Sequence, residues 1–238
     1  MTGVARRDTL VVATSNRGKL RELRALLAEL PVYVEAVADI LPTPPHIVED
    51  GATFAENAVK KARAVASATM QLTLADDSGL EVDALGGRPG VQSARFAHDG
   101  ATDAENNAAL LRALDGVPAR AEAAPAIGSA GGPARGEYRA RFRCVLALVD
   151  PLAWQEAPHI VEGVCEGSIV RLPRGSSGFG YDPFFVVAGT NQTMAELPVE
   201  VKNRLSHRAR AFAAIGPVIE QALQERLRRL ADLGAARG

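Results

Sequence analysis

Leu10-Val11-Val12-Ala13-Thr14 is a short apolar run carrying β-branched residues, and Ser15-Asn16-Arg17-Gly18 breaks it at once. Such a run reads as a buried strand. From Lys19, the residues Leu20, Leu23, Leu27 and Leu30 recur at helical spacing until Pro31 stops the pattern. The chain therefore begins with a strand, a tight polar loop and a helix. Thr53-Phe54-Ala55-Glu56 has the form of a capping box and announces a second helix, with Ala55, Ala58, Val59, Ala62 and Ala66 as a narrow small-residue face. Leu72 to Ala75 reads as a strand ending in Asp76-Asp77-Ser78-Gly79. Thr102-Asp103-Ala104-Glu105 repeats the capping box and opens a helix that Gly116 stops.

Further strands are expected over Phe142 to Val149, within Ile160 to Leu172, and over Phe184 to Val187. Helix is expected from Ser206 to about Leu233, with a kink or break at Gly216-Pro217, because proline lacks the N–H that a helix interior uses. Residues 119–136 are rich in Ala, Gly and Pro without a period and read as a flexible surface insertion. Strands and helices mixed along the whole chain point to an α/β fold.

The length of 238 residues suits one domain of two lobes over residues 1–238 and is enough to bury a core without staples. A formal net charge of -1 argues against a protein that coats nucleic acid. No stretch approaches the roughly eighteen apolar residues of a membrane span, and the N-terminus lacks the pattern of a secretory leader. Cys144 and Cys165 stand apart without a CxxC partner, which leaves neither a disulfide framework nor a zinc site. A reducing cytoplasm is the expected compartment.

Five segments could carry chemistry. Thr14-Ser15-Asn16-Arg17-Gly18-Lys19 places backbone N–H groups, short polar side chains and two cations at a helix N-terminus, where an anion is favoured. It is not a P-loop, since the leading Gly and the Ser/Thr after Lys19 are missing. Asp76 and Asp77 end an apolar strand, and alternation lets only one of them aim into a given site. Glu49-Asp50 precedes the capped helix and could join Asp77 around a hard cation such as Mg²⁺, which takes one or two carboxylates together with phosphates and water. The capping box already explains Glu56, and Lys60 and Lys61 read as solvated positions. Phe179-Gly180-Tyr181-Asp182 sets an aromatic ring in a Gly-rich loop, where it could stack on a base. Lys202 with Ser206-His207-Arg208 forms a donor cluster. Ser206 can cap the last helix, leaving His207 and Arg208 in a first turn that opposes their charge.

Taken in order, these segments resemble the inosine triphosphate pyrophosphatase family. The matching pieces are Thr14-Ser15-Asn16-x-x-Lys19-x-x-Glu22, Glu49-x-Gly51-x-Thr53-Phe54-x-Glu56-Asn57-Ala58, Ala75-Asp76-Asp77-Ser78-Gly79-Leu80 continuing to Pro89-Gly90, Ser93-Ala94-Arg95, Gly178-Phe179-Gly180-Tyr181-Asp182-Pro183, and Lys202 with Ser206-His207-Arg208. The resemblance implies a long twisted mixed sheet flanked by helices in two lobes with a central cleft. It also implies a homodimer and Mg²⁺-dependent hydrolysis of non-standard purine nucleoside triphosphates (ITP, dITP, XTP) to monophosphate and pyrophosphate. Carried over by position, Thr14 to Lys19 would hold the triphosphate, Asp77 would be metal ligand and proton acceptor, and Glu49 a second acid near the metal. Ser78, Phe179, Gly180, Tyr181, Asp182, Lys202, His207 and Arg208 would bind the nucleotide. Two other readings are a nucleotide sensor without turnover and a septum-inhibitor-type pyrophosphatase with other base specificity.

Overall fold

The computed structural model describes residues 8–118 and 137–235. The expected surface insertion at 119–136 lies outside the described residues. Six strands form one mixed sheet: β1 (Asp8–Val12), β2 (Val32–Ala36), β3 (Leu72–Val82), β4 (Tyr138–Val149), β5 (His159–Ile169) and β6 (Phe185–Val187), in the order β2-β1-β3-β4-β5-β6. β1 runs parallel to both β2 and β3, whereas β5 and β6 are antiparallel. The helices are α1 (Arg17–Leu27), α2 (Val37–Ile40), α3 (Phe54–Thr69), α4 (Asp103–Ala113), α5 (Val199–Leu205) and α6 (His207–Ala235).

Among the described residues the chain divides into two compact units. The first takes in everything up to Asp77, Val145–Glu162 and everything from Ala211. Its buried residues include Leu10, Val12, Leu23, Leu27, Ala58, Ala62, Val65, Leu72, Leu74, Leu146, Leu148, Ile215 and Ile219. The second takes in Ser78–Cys144 and Gly163–Arg210. It has a hydrophobic cluster of its own that includes Leu80, Val82, Leu110, Leu114, Tyr138, Phe142, Ile169, Phe184, Phe185 and Met194.

Local chemistry explains most of the element boundaries. α1 begins where the Asn16 carboxamide accepts from Gly18 N–H and Lys19 N–H, at 2.8 and 3.1 Å. α3 is capped by Thr53, whose hydroxyl accepts from Glu56 N–H at 3.1 Å. The Glu56 carboxylate reaches one residue past the cap, to Ala52 N–H at 2.7 Å, so the reciprocal bond of a capping box is displaced. α4 has the complete box, with Thr102 and Glu105 satisfying each other's N–H groups.

Three expectations are corrected. β3 does not stop at Ala75 but continues through Asp76, Asp77, Ser78 and Gly79 to Val82. The acids are held in a buried strand by cationic partners, which removes the cost that would otherwise favour a turn. The packed face of α3 is centred on Phe54, Asn57, Ala58, Lys61, Ala62, Val65 and Ala66, while Ala55 and Val59 are only half-buried. α6 runs through Pro217 without a break. Pro217 and Ala213, the residue whose carbonyl loses its donor, are both exposed, so water can serve that carbonyl. Buried Ile215 and Ile219 hold the opposite side. β2, α2 and α5 carry too few patterned residues to stand out in the sequence.

Candidate active site

The first unit gathers a charged cluster around one lysine. Lys61, on the packed face of α3, donates to Asp77 Oδ1 at 2.8 Å and to Glu49 Oε2 at 2.9 Å. Its side chain is 9% exposed and that of Asp77 is 8%. Asp76, on the other side of the strand pleat, is ion-paired with Lys19 of α1. Consecutive carboxylates of β3 thus meet one lysine each. Lys61 read as solvated in the sequence, and that expectation is overturned. It falls on the stripe of Phe54, Ala58, Ala62 and Val65 at helical spacing, which was the available signal.

Electrostatics separate the two carboxylates. Burial raises the Asp77 carboxyl above the ordinary carboxylate value, against the pull of Lys61 and Lys19. Burial also works upward on Glu49, but the charge and hydrogen bond of Lys61 outweigh it and hold Glu49 below its usual value. For Lys61, desolvation is outweighed by the two carboxylates, so its ammonium is held above the usual range.

A divalent cation fits this donor set in a limited way. Asp77 Oδ2 is buried and has no hydrogen-bond partner among the described residues. Glu49, which shares Lys61 with Asp77, is the second carboxylate. Among the described residues no group of three or more His, Cys, Asp or Glu could hold an ion alone. That pattern suits Mg²⁺, which binds through one or two carboxylates and takes its remaining ligands from phosphate and water.

The loop before α1 is more committed than its sequence implies. The Asn16 cap occupies Gly18 N–H and Lys19 N–H, and Asn16 N–H turns back to the Thr14 hydroxyl at 3.2 Å. Ser15 and Arg17 are exposed. Asn57 contributes one unforeseen contact: its Oδ1 accepts from Gly51 N–H at 2.8 Å and so anchors the segment that follows Glu49. A Cβ at Gly51 would lie 2.6 Å from that oxygen.

The second unit gathers the remaining residues around Phe179. Asp182 accepts from Phe179 N–H at 3.1 Å and from Lys202 Nζ at 2.8 Å. The Lys202 ammonium lies 5.4 Å and the Arg208 guanidinium 5.1 Å from the centre of the Phe179 ring, within cation–π range. Arg208 also donates to the Ser78 hydroxyl at 2.8 Å. His207 is buried and stacks on Phe142 with ring centroids 4.8 Å apart. Ser206 caps α6 by accepting from Ala209 N–H at 3.2 Å, which puts His207 and Arg208 in the first turn as expected. Tyr181 is an anchor rather than an exposed donor. Its hydroxyl is bound to the Ser93 carbonyl at 2.9 Å, and burial pushes the phenol upward. Gly178 has φ +88, and a Cβ there would stand 2.1 Å from Asp182 Oδ2, so only glycine fits.

The six-stranded mixed sheet flanked by helices has counterparts among solved structures. A structure of a HAM1 protein from Coxiella burnetii matches with a TM-score of 0.72 and 39% identity, covering 90% of this chain and 98% of that one. A nucleoside-triphosphatase / dITP/XTP pyrophosphatase structure from Mycobacterium abscessus matches at 0.63 and 40% identity, covering 87% and 98%. The dITP/XTP pyrophosphatase of Geobacillus kaustophilus is 46% identical over 206 residues, covering 87% of this chain and 91% of the relative. The model of the Ham1 family matches residues 10–217. The chain belongs to the Ham1 family.

Proposed function

We propose that this chain is a hydrolase that cleaves non-standard purine nucleoside triphosphates (ITP, dITP, XTP) between the α- and β-phosphates, giving monophosphate and pyrophosphate and so clearing them from the nucleotide pool. The names of the relatives support the reaction class. The observation that carries the proposal is the buried Asp77 oxygen without a partner, set beside Glu49, Lys61 and Lys19. The carboxylate–lysine group of the first unit would take phosphates, and Phe179 of the second would take a base. A homodimer in the cytoplasm completes the proposal.

The chemistry follows from positioning and charge. Glu49 and Asp77 would hold Mg²⁺, whose charge would neutralise phosphate oxygens and favour the ionised carboxylates. Asp77 orients a water against the α-phosphorus and takes its proton. The ammonium of Lys61 fixes the Asp77 carboxylate through Oδ1 and leaves Oδ2 for that task. Lys19 spends one of its three N–H donors on Asp76 and keeps others for the departing pyrophosphate. Thr14 to Gly18 border the phosphates through the exposed loop.

Base choice rests on hydrogen-bond polarity. Lys202 and Arg208 flank Phe179 and would offer donors that suit a 6-oxo acceptor, with His207 as a further donor. A 6-amino group would set a donor against these donors, at about 1–3 kcal/mol for each hydrogen bond lost. The test is a panel of nucleoside triphosphates with Mg²⁺, scoring pyrophosphate against orthophosphate. Pyrophosphate from ITP, dITP and XTP, with kcat/KM at least about tenfold above ATP, is the expected result. Orthophosphate release, or no preference for the 6-oxo bases, rejects the proposal.

A further inference from the structure

The loop that carries Phe179 is gripped from α4 by two side chains that no sequence motif singled out. The Asp103 carboxylate accepts from Gly180 N–H at 2.7 Å, and the Asn107 carboxamide donates to the Gly180 carbonyl at 3.0 Å. Residues four apart on a helix share one face, so the two side chains close on the N–H and the C=O of a single residue. Gly180 sits at φ +62, a conformation that glycine enters freely and also leaves freely. Its neighbours are held as well, Phe179 N–H by Asp182 and the Tyr181 hydroxyl by Ser93.

The bland role for each residue is already filled or does not pay. Thr102 and Glu105 complete the cap of α4 without Asp103. Asn107 keeps its donor on Gly180 although its own Oδ1 is buried without a hydrogen-bond partner among the described residues, a cost that an asparagine serving only the fold would shed.

We propose that Asp103 and Asn107 are positioning residues that clamp Gly180, keep the Phe179 ring facing Lys202 and Arg208, and thereby preset the platform for a 6-oxopurine base. This rests on the function proposed above. The clamp acts through Phe179, so its energetic effect must vanish when that ring is absent.

The test is a mutant cycle on the full chain. Asp103→Ala and Asn107→Ala each raise KM for ITP about tenfold while kcat stays within about threefold, the signature of lost base binding. Asp103→Asn, which keeps an acceptor oxygen, recovers most of the loss. In a Phe179→Ala background the two alanine substitutions add less than about twofold. Amide hydrogen exchange at residues 178–181 rises in both variants while α4 stays protected. A KM effect that persists in full without Phe179, or a melted α4, overturns the proposal. If the wild-type chain releases no pyrophosphate from any nucleoside triphosphate, the function proposed above fails. The exchange arm still decides the clamp, because unchanged exchange at residues 178–181 in both variants refutes it.

Discussion

Lys61 donates to Asp77 across 2.8 Å with both side chains more than nine-tenths buried. The pair makes one carboxylate oxygen a fixed hydrogen-bond acceptor and leaves the other without a protein partner. The same ammonium reaches Glu49, so one cation organises two carboxylates that would otherwise repel each other.

Replacing Asp77 by Asn separates binding from turnover. The amide keeps the shape of the side chain but cannot take a proton. kcat falls by at least about a hundredfold, while Kd for ITP measured without Mg²⁺ changes less than about threefold. Calorimetric titration beside a pyrophosphate assay reads both.

Lys61→Met leaves two carboxylates facing each other without their shared cation. Removing one partner from a buried ion pair costs about 3–5 kcal/mol, lowering the denaturation midpoint, and kcat collapses with it. Chemical denaturation of the two proteins in parallel measures the loss. A stability change within about 0.5 kcal/mol would show that the pair is exposed in solution.

Phe179→Ala removes the stacking surface without touching the carboxylate cluster. KM for ITP rises about tenfold, kcat stays within about threefold, and the preference for ITP over ATP is kept, because stacking tolerates any base. Steady-state kinetics with both nucleotides checks it.

Cys165 is 1% exposed and burial pushes its thiol up to about 11. The folded value lies above that of an unfolded thiol, near 8.5. The resulting stability is therefore fully present below about pH 8.5 and is lost as pH rises through about 11. It amounts to about 3 kcal/mol for a shift of this size. The stability difference between the wild type and Cys165→Ala should shrink across that window, and the native thiol should resist iodoacetamide at pH 8.

The sequence made the βα unit at the start, the α4 cap and the first turn of α6 legible, because each depends on short-range patterns such as Asn16 before α1 or Ser206 before α6. The α/β class follows from strands and helices along the chain, and the mixed sheet from the family resemblance. What stayed hidden depends on partners distant in sequence. The strand reads as ending at Asp76 and Asp77 because acids are poor strand formers, and their ion pairs with Lys19 and Lys61 explain why it runs through them. Lys61 reads as solvated in the sequence, and its place on the packed stripe of α3 buries it. Asn57 stands inside a family motif without a role of its own, and Asn107 gives no signal, since a carboxamide serves a surface as readily as a buried clamp. Pro217 argues for a kink or a break, and α6 continues through it without a break, with Pro217 on its exposed side. Across the candidate site, the motifs bring in Asp77, Glu49 and Lys19, but not Lys61, which donates to Asp77.

The most direct test of the proposed chemistry is a single turnover of ITP in heavy-oxygen water with Mg²⁺, followed by mass analysis of both products. Attack on the α-phosphorus by a water held at Asp77 puts the label in inosine monophosphate and none in pyrophosphate. Label in pyrophosphate, or in inorganic phosphate released beside a nucleoside diphosphate, contradicts it.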